Sequence, residues 1–225
     1  MIGTQPGRLN EMHFRKSTVA LVGMMLVVAC AIVIAPVRTS LLRAMGRFLV
    51  ATDQLQRADV IVLSVDSDGA GVLEATDLVH EHVADRVALF ADPPDPVDRE
   101  FLRRGVPYHN AAAVSVGQLH DLGINPVEVI PRTVTGTNDE SLDLATWCSE
   151  HGYRVVIFVS TLDHSRRTAR ILARATRCGA LQLSVHASRY SAFNPDAWWK
   201  SRTGVRTEIV ESEKLLLDML LHPLS

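Results

Sequence analysis

Residues 137–167 read TNDESLDLATWCSEHGYRVVIFVSTLDHSRR, a helix, a strand and the start of a second helix in immediate succession. Thr137-Asn138-Asp139-Glu140 has the Thr-x-x-Glu form of a capping box, in which hydroxyl and carboxylate each satisfy a free backbone N–H at a helix start. A helix is therefore predicted from Thr137 to about His151, where Gly152 stops it. Val155-Val156-Ile157-Phe158-Val159 is the most strand-like run in the chain. It has no polar alternation, as expected of a strand buried on both faces of a parallel sheet. The chain then turns through Ser160-Thr161-Leu162-Asp163-His164 into an arginine-rich helix predicted to end near Cys178-Gly179.

The same grammar repeats on either side. Residues 58–63 (ADVIVL) and 86–90 (RVALF) read as strands separated by a polar loop, 64–71, and a helical stretch, 73–83. Residues 91–96 (ADPPDP) cannot prolong the second strand, because three prolines remove ladder donors and fix φ. Helices are predicted over 97–104 and 112–122, a third strand over 127–130 and a last one over 181–185. Strands alternating with helices of this length predict an α/β fold, a three-layer sandwich around a mostly parallel sheet. In such sheets ligands bind beyond the carboxyl ends of the strands. That rule directs attention to 64–71, 91–95, 132–140 and 160–167.

One transmembrane helix is expected to precede this domain. Residues 17–37, STVALVGMMLVVACAIVIAPV, carry no charge and have about the 20-residue length that crosses a bilayer core. A buried core helix would keep a polar face, and this segment has none. Val27-Val28-Ala29-Cys30 loosely resembles a lipoprotein cleavage box, but the apolar run continues beyond it, as an uncleaved anchor would. Arg8, Arg15 and Lys16 on one side balance Arg38, Arg43 and Arg47 on the other, so charge does not orient the segment. The organisation expected is a flank (1–16), an anchor (17–37), a connecting helix (38–57) and the α/β domain (58–225). Residues 41–55, with Leu41, Leu42, Met45, Phe48 and Leu49 near helical spacing, suit either an interfacial helix or the domain's first packed helix.

The bulk numbers exclude more than they select. With 225 residues, 47% hydrophobic and 21% charged, the chain is long enough for one domain with a real core. A formal charge of −2 provides no field for nucleic acid, so no nucleic-acid partner is expected. Three cysteines without a C-x-x-C pair make no disulfide framework.

Two of the loops carry suitable chemistry. At 160–167 hydroxyls, an imidazole and two guanidiniums gather where a helix begins, and free N–H groups there favour an anion. The candidate ligand-binding residues are Ser160, Thr161 and Arg167, with Thr137, Asn138 and Glu140 from the second helix start, and His164 as candidate catalytic acid/base. The competing reading is that Thr137 and Glu140 only cap, while Arg166, Arg167 and Arg170 form a solvated helix face. Asp66 belongs to the candidate ligand site. With Asp68 it could alternatively hold a divalent cation, but the sequence offers no further ligand set, so no metal residue is assigned.

The chain resembles the YdcF/SanA/ElyC-like envelope proteins. Residues 58–63 look like that family's first strand, and Gly136-Thr137-Asn138-Asp139-Glu140-Ser141 like its helix start. Residues 155–167 look like its Thr-Ser-x-x-His-x-x-Arg signature, with Ser160-Thr161 inverted, His164 the histidine and Arg167 the arginine. Trp198-Trp199 and 211–214 resemble the tail of one branch. The resemblance covers roughly residues 50–222. It implies a Rossmann-like domain tethered in the cytoplasmic (inner) membrane, facing outside it, and linked to cell-envelope or peptidoglycan maintenance. No cofactor follows from it. Two departures stand out: 64–71 (SVDSDGAG) has aspartates where the family has consecutive glycines, and Asp92-Pro93-Pro94 replaces a Ser-Gly-Gly-like turn. Glycines let backbone approach a phosphate, whereas aspartates repel an anion unless a cation intervenes.

Two functional readings remain open from the sequence. One is an envelope enzyme acting on a phosphate- or carboxylate-bearing precursor through His164. The other is a non-catalytic, membrane-anchored module that binds a ligand or partner and regulates envelope assembly. A cytoplasmic nucleotide-binding enzyme ranks last, because no Gly-x-Gly-x-x-Gly follows the first strand.

Overall fold

The computed structural model describes residues 23–24, 34–108, 111–132, 137–176 and 181–223. Contacts divide the chain after Ala44, and Met45–Ser225 forms the α/β unit. Among the described residues no helix is long and apolar enough to cross a membrane. The expected anchor, 17–37, lies outside the described residues except for 23–24 and 34–37.

Helix α1 spans Ala35–Phe48. Residues 50–58 follow without regular secondary structure, so the helical spacing seen in 41–55 yields a helix only as far as Phe48. The reason is local to the sheet. Asp53 N–H donates to the Val185 carbonyl, and Thr52 Oγ1 and Asp53 Oδ2 accept from Ala187 and Val185 N–H, so this segment satisfies the outer edge of the last strand.

The α/β unit then alternates as the apolar pattern predicts. β1 (Val60–Leu63) leads through a short 3-10 turn, Val65–Ser67, into α2 (Asp68–His80). β2 (Val87–Ala91), α3 (Pro96–Arg103), α4 (Ala111–Asp121) and β3 (Val127–Pro131) follow. α5 (Thr137–His151), β4 (Val155–Ser160), α6 (Ser165–Thr176) and β5 (Gln182–Ala187) complete the sheet, and α7 (Arg202–Leu221) closes the chain. All pairs are parallel, in the order β3-β2-β1-β4-β5, the order of a doubly wound sheet.

Side chains alternate across each strand. Ile61, Leu63, Val87, Leu89, Ile157 and Val159 pack with α2 and α4 in one core. Val60, Val62, Phe90, Val156 and Phe158 pack with α5 and α6 in the other. The central strands are apolar, β1 throughout and β4 up to its last residue, Ser160, because both faces are covered. The edge strands carry the polar residues, Glu128 on β3 and Gln182, Ser184 and His186 on β5. The Asp95 side chain caps α3 by accepting from Val97 and Asp98 N–H, which explains why the proline run opens a helix.

Gly46 is the one described glycine of α1, and its lack of a side chain is required by packing. A Cβ there would lie 2.7 Å from Trp198 Cδ1 and closer still to the Pro195 carbonyl oxygen. We expect Gly46→Ala to lower stability by about 2 kcal/mol through overpacking, read as an earlier midpoint in urea unfolding; an unchanged midpoint would refute the contact.

Candidate functional site

The carboxyl ends of β1 and β4, neighbours at the centre of the sheet, bring together the loop carrying Asp66 and the turn carrying Asp163 and His164. That position is where the strand order reverses direction. His164 Nδ1 lies 3.1 Å from Asp66 Oδ2, and Nε2 lies 3.1 Å from Asp163 Oδ2 and 3.5 Å from Glu211 Oε1 on α7. Burial alone would depress the imidazolium. The hydrogen bonds to Asp163 and Asp66, with the charges of Asp163 and Glu211, outweigh it and hold the group up at about 9. The ring is therefore a cation at neutral pH. Its bond to Asp66 in turn lowers the Asp66 carboxyl. Burial raises Asp163, but His164 reverses the sign and, with the Thr161 hydroxyl contributing, leaves it low.

Arg167 belongs to the same cluster through Glu211, at 3.3 Å, and Lys214 adds a second cation to that carboxylate at 2.6 Å. The arginine face of α6 is neither a solvated surface nor an open anion cradle. Arg170 and Arg174 both pair with Asp218 of α7, at 2.7 and 2.6 Å, so the row of arginines is the face on which α7 docks. The start of α6 is also covered. Arg166 N–H donates to the Leu49 carbonyl, Arg166 Nη2 donates to the Val50 carbonyl, and Ser165 Oγ accepts from Ala51 N–H. The Arg166 amide and guanidinium and the Arg167 guanidinium, offered to an anion by the sequence, are engaged within the fold.

The Glu140 carboxyl reaches across to the loop after β1. Its Oε1 accepts the N–H of Val65, 3.0 Å away on the loop after β1. Burial is the main cause that pushes this carboxyl up to about 7; the Val65 bond and Arg132 oppose the rise, and Asp66 and Asp92 add to it. Ser160, at the end of β4, is fully buried, and its hydroxyl has no partner among the described residues. The side chains of Thr137 and Asn138 lie outside the described residues.

Beside this cluster a cavity of about 260 Å³ opens over the carboxyl ends of β1 and β2, lined by Ser64, Val65, Ser67, Asp68, Asp92, Asp95, Asp98 and Tyr108 among others. It lies just below the usual size range of small-molecule sites, about 300–1,000 Å³. The lining is acidic: the nearest buried cation, Arg132, is already paired with Asp92. Sequence reasoning located two of the loops, 64–71 and 91–95, but assigned no ligand to 91–95. It missed Glu211, Asp163 and Tyr108. Asp163 was legible as the neighbour of His164; Glu211 stood out only as part of a family-like tail, with nothing local to place it beside the histidine. Among the described residues no group of three or more His, Cys, Asp or Glu side chains is arranged to hold a metal ion.

No protein-family model matches the chain. A search of the curated proteins also finds no match.

Proposed function

We propose that this chain is a membrane-tethered envelope protein whose α/β domain binds a small hydroxyl- or amine-bearing ligand in the cavity over β1 and β2. Glu140 is the proton-carrying group next to that cavity. The observation that carries the reading is geometric: the buried Glu140 carboxyl accepts from the backbone N–H of Val65, a residue that lines the cavity, and burial pushes that carboxyl up to about 7. A carboxyl poised there exchanges a proton at physiological pH, the condition for general acid–base work. The acidic lining supports the polarity: carboxylates accept from hydroxyls and ammonium groups and repel bare anions. The tether and the envelope setting are supported by the uncharged segment 17–37 and by the family resemblance.

The phosphate- or carboxylate-bearing precursor suggested by the sequence is the second reading, favoured by the imidazolium of His164. The two separate by experiment. Thermal shift and calorimetric titration with glucosamine and with inorganic phosphate are expected to show stabilisation by the amino sugar alone. At a ligand excess of about 100 Kd the gain is roughly 2.7 kcal/mol. Asp68→Asn, exposed beside the cavity, and Tyr108→Phe are expected to weaken that gain without unfolding the protein. Binding of phosphate with indifference to glucosamine would transfer the assignment to the anion reading.

A further inference from the structure

A second cavity, about 530 Å³ in volume, lies along α7. Most of its lining is apolar: Met45 of α1, Trp198, and Ile209, Leu216, Leu217 and Leu220 of α7. That is the make-up of a small-molecule site, an apolar recess of about 300–1,000 Å³ with a few polar groups. The polar groups are Glu208, Ser212 and Glu213, and among the described residues the lining holds no Lys or Arg.

Glu208 is the group left incomplete. It is 1% exposed. Its Oε1 accepts from the Ser212 hydroxyl at 3.2 Å, whereas Oε2 is buried without a partner among the described residues. A buried carboxylate oxygen with no donor bears the full cost of its lost hydration. Burial accordingly raises the Glu208 carboxyl, against the opposing bond from Ser212. Two cations on the same segments, Arg47 and Lys214, are already paired with Asp196 and Glu211. Glu213, exposed on the lining, adds a second carboxylate.

We propose that this cavity binds an apolar amine, its ammonium donating to Glu208 Oε2 and its hydrocarbon or aromatic body lying against Trp198 and the leucines of α7. The two halves of such a ligand match the two halves of the lining. A charge-assisted bond to a buried oxygen is stronger than one between neutral groups. The apolar body shields Leu216, Leu217 and Leu220, which are 53%, 55% and 79% exposed, from water. An anion of the same shape meets two carboxylates and is rejected. The site shares no lining residue with the cavity over β1 and β2, and it does not depend on a membrane tether.

Three probes share an indole body and differ in one group: tryptamine carries an ammonium, tryptophol a hydroxyl and indole-3-propionate a carboxylate. Calorimetric titration of the full chain at pH 7, against a blank of the same detergent micelles without protein, is expected to rank them in that order. Tryptamine should bind at least about tenfold tighter than tryptophol, the margin of one charged hydrogen bond, and the propionate should not bind. Glu208→Gln keeps the shape and is expected to bring tryptamine down to the level of tryptophol. Ile209→Ser/Leu217→Ser, at exposed positions, should weaken both probes, and it locates the site even if Glu208→Gln fails to fold. Asp68→Asn, in the other cavity, should leave tryptamine binding as in the wild type. Urea unfolding midpoints check that each variant is folded. Equal binding of the three probes, no binding of tryptamine, or tryptamine binding undiminished in folded Glu208→Gln overturns the assignment. A dimer that Leu216→Glu breaks and saturating tryptamine does not would also overturn it, giving the face to a second copy of the chain.

Discussion

His164→Ala is expected to lower the stability of the domain by about 3 kcal/mol, in the range for removing one partner of a buried ion pair and at its lower end because Asp66 is half exposed. For a domain of this size that is a fall in Tm of roughly 6–12 °C. The cause is what the ring leaves behind. Asp66, Asp163 and Glu211 come from the β1 loop, the β4 turn and α7, and the imidazolium is their common partner. Glu211 retains Arg167 and Lys214, so α7 stays attached; Asp66 and Asp163 lose their main counter-charge.

The pH dependence gives this prediction its sign. The imidazole stands at about 9 in the folded chain against 6.5 for the free side chain. Its contribution is therefore complete below pH 6.5 and is lost as pH rises through 9, because deprotonating the folded state forfeits the ion pairs. Urea unfolding of wild type and variant at a series of pH values is expected to give curves that converge towards pH 9–10. Equal stability of the two proteins at pH 6 would remove the hub. Retention of glucosamine binding by His164→Ala would place the ring outside ligand chemistry, a positioning residue for the loops around the cavity.

Glu140→Gln is expected to act in the opposite direction, stabilising the protein at pH 8 by about 3 kcal/mol. The folded carboxyl stands at about 7 against 4.5 when free, and each unit of difference is about 1.4 kcal/mol. Below pH 4.5 both states hold the proton and there is no cost. Between 4.5 and 7 the unfolded chain releases it while the folded chain does not, so stability declines through that window and levels off above it. The amide keeps an oxygen to accept from Val65 N–H and has no charge to desolvate. A stability–pH profile in which the wild type declines between pH 4.5 and 7 and the variant is flatter is the expected readout. An amide that destabilises at pH 8 would show that Glu140 is an ordinary ionised carboxylate. A position where the acid costs stability and its isostere does not is the signature of a group kept for chemistry.

The chain's own pattern carried much of the fold. The helix at Thr137–His151 and the strand starting at Val155 fall where the capping form, Gly152 and the β-branched run place them. The helix after β4 starts at Ser165, directly after the predicted turn. Such features act over a few residues, so they survive without knowledge of the rest of the molecule. Helix α2 begins earlier than the apolar spacing suggested, at Asp68, because the 64–71 loop is short and half helical.

The candidate site was legible only as a set of loops. His164, Asp66 and Glu140 do converge at the strands' carboxyl ends, as the sheet rule requires. Their partners were not readable. Arg167 looked like a ligand donor because its sequence neighbours are hydroxyls and an imidazole. Its actual partner, Glu211, is 44 residues away. Likewise the start of α6 looked free, whereas the Arg166 amide donates to the Leu49 carbonyl and the Ser165 hydroxyl accepts from Ala51 N–H.

By itself the sequence determined the order of strands and helices, the parallel sheet buried on both faces and the loops at its ligand-binding end. Periodicity, caps and breakers are local and each acts through its near neighbours. The tertiary structure alone decided the sign of the site's free charge, the protonation of His164 and Glu140, and the use of the α6 arginines as a docking face for α7. Charge and proton affinity depend on distance and burial, and those exist only once remote segments have packed together.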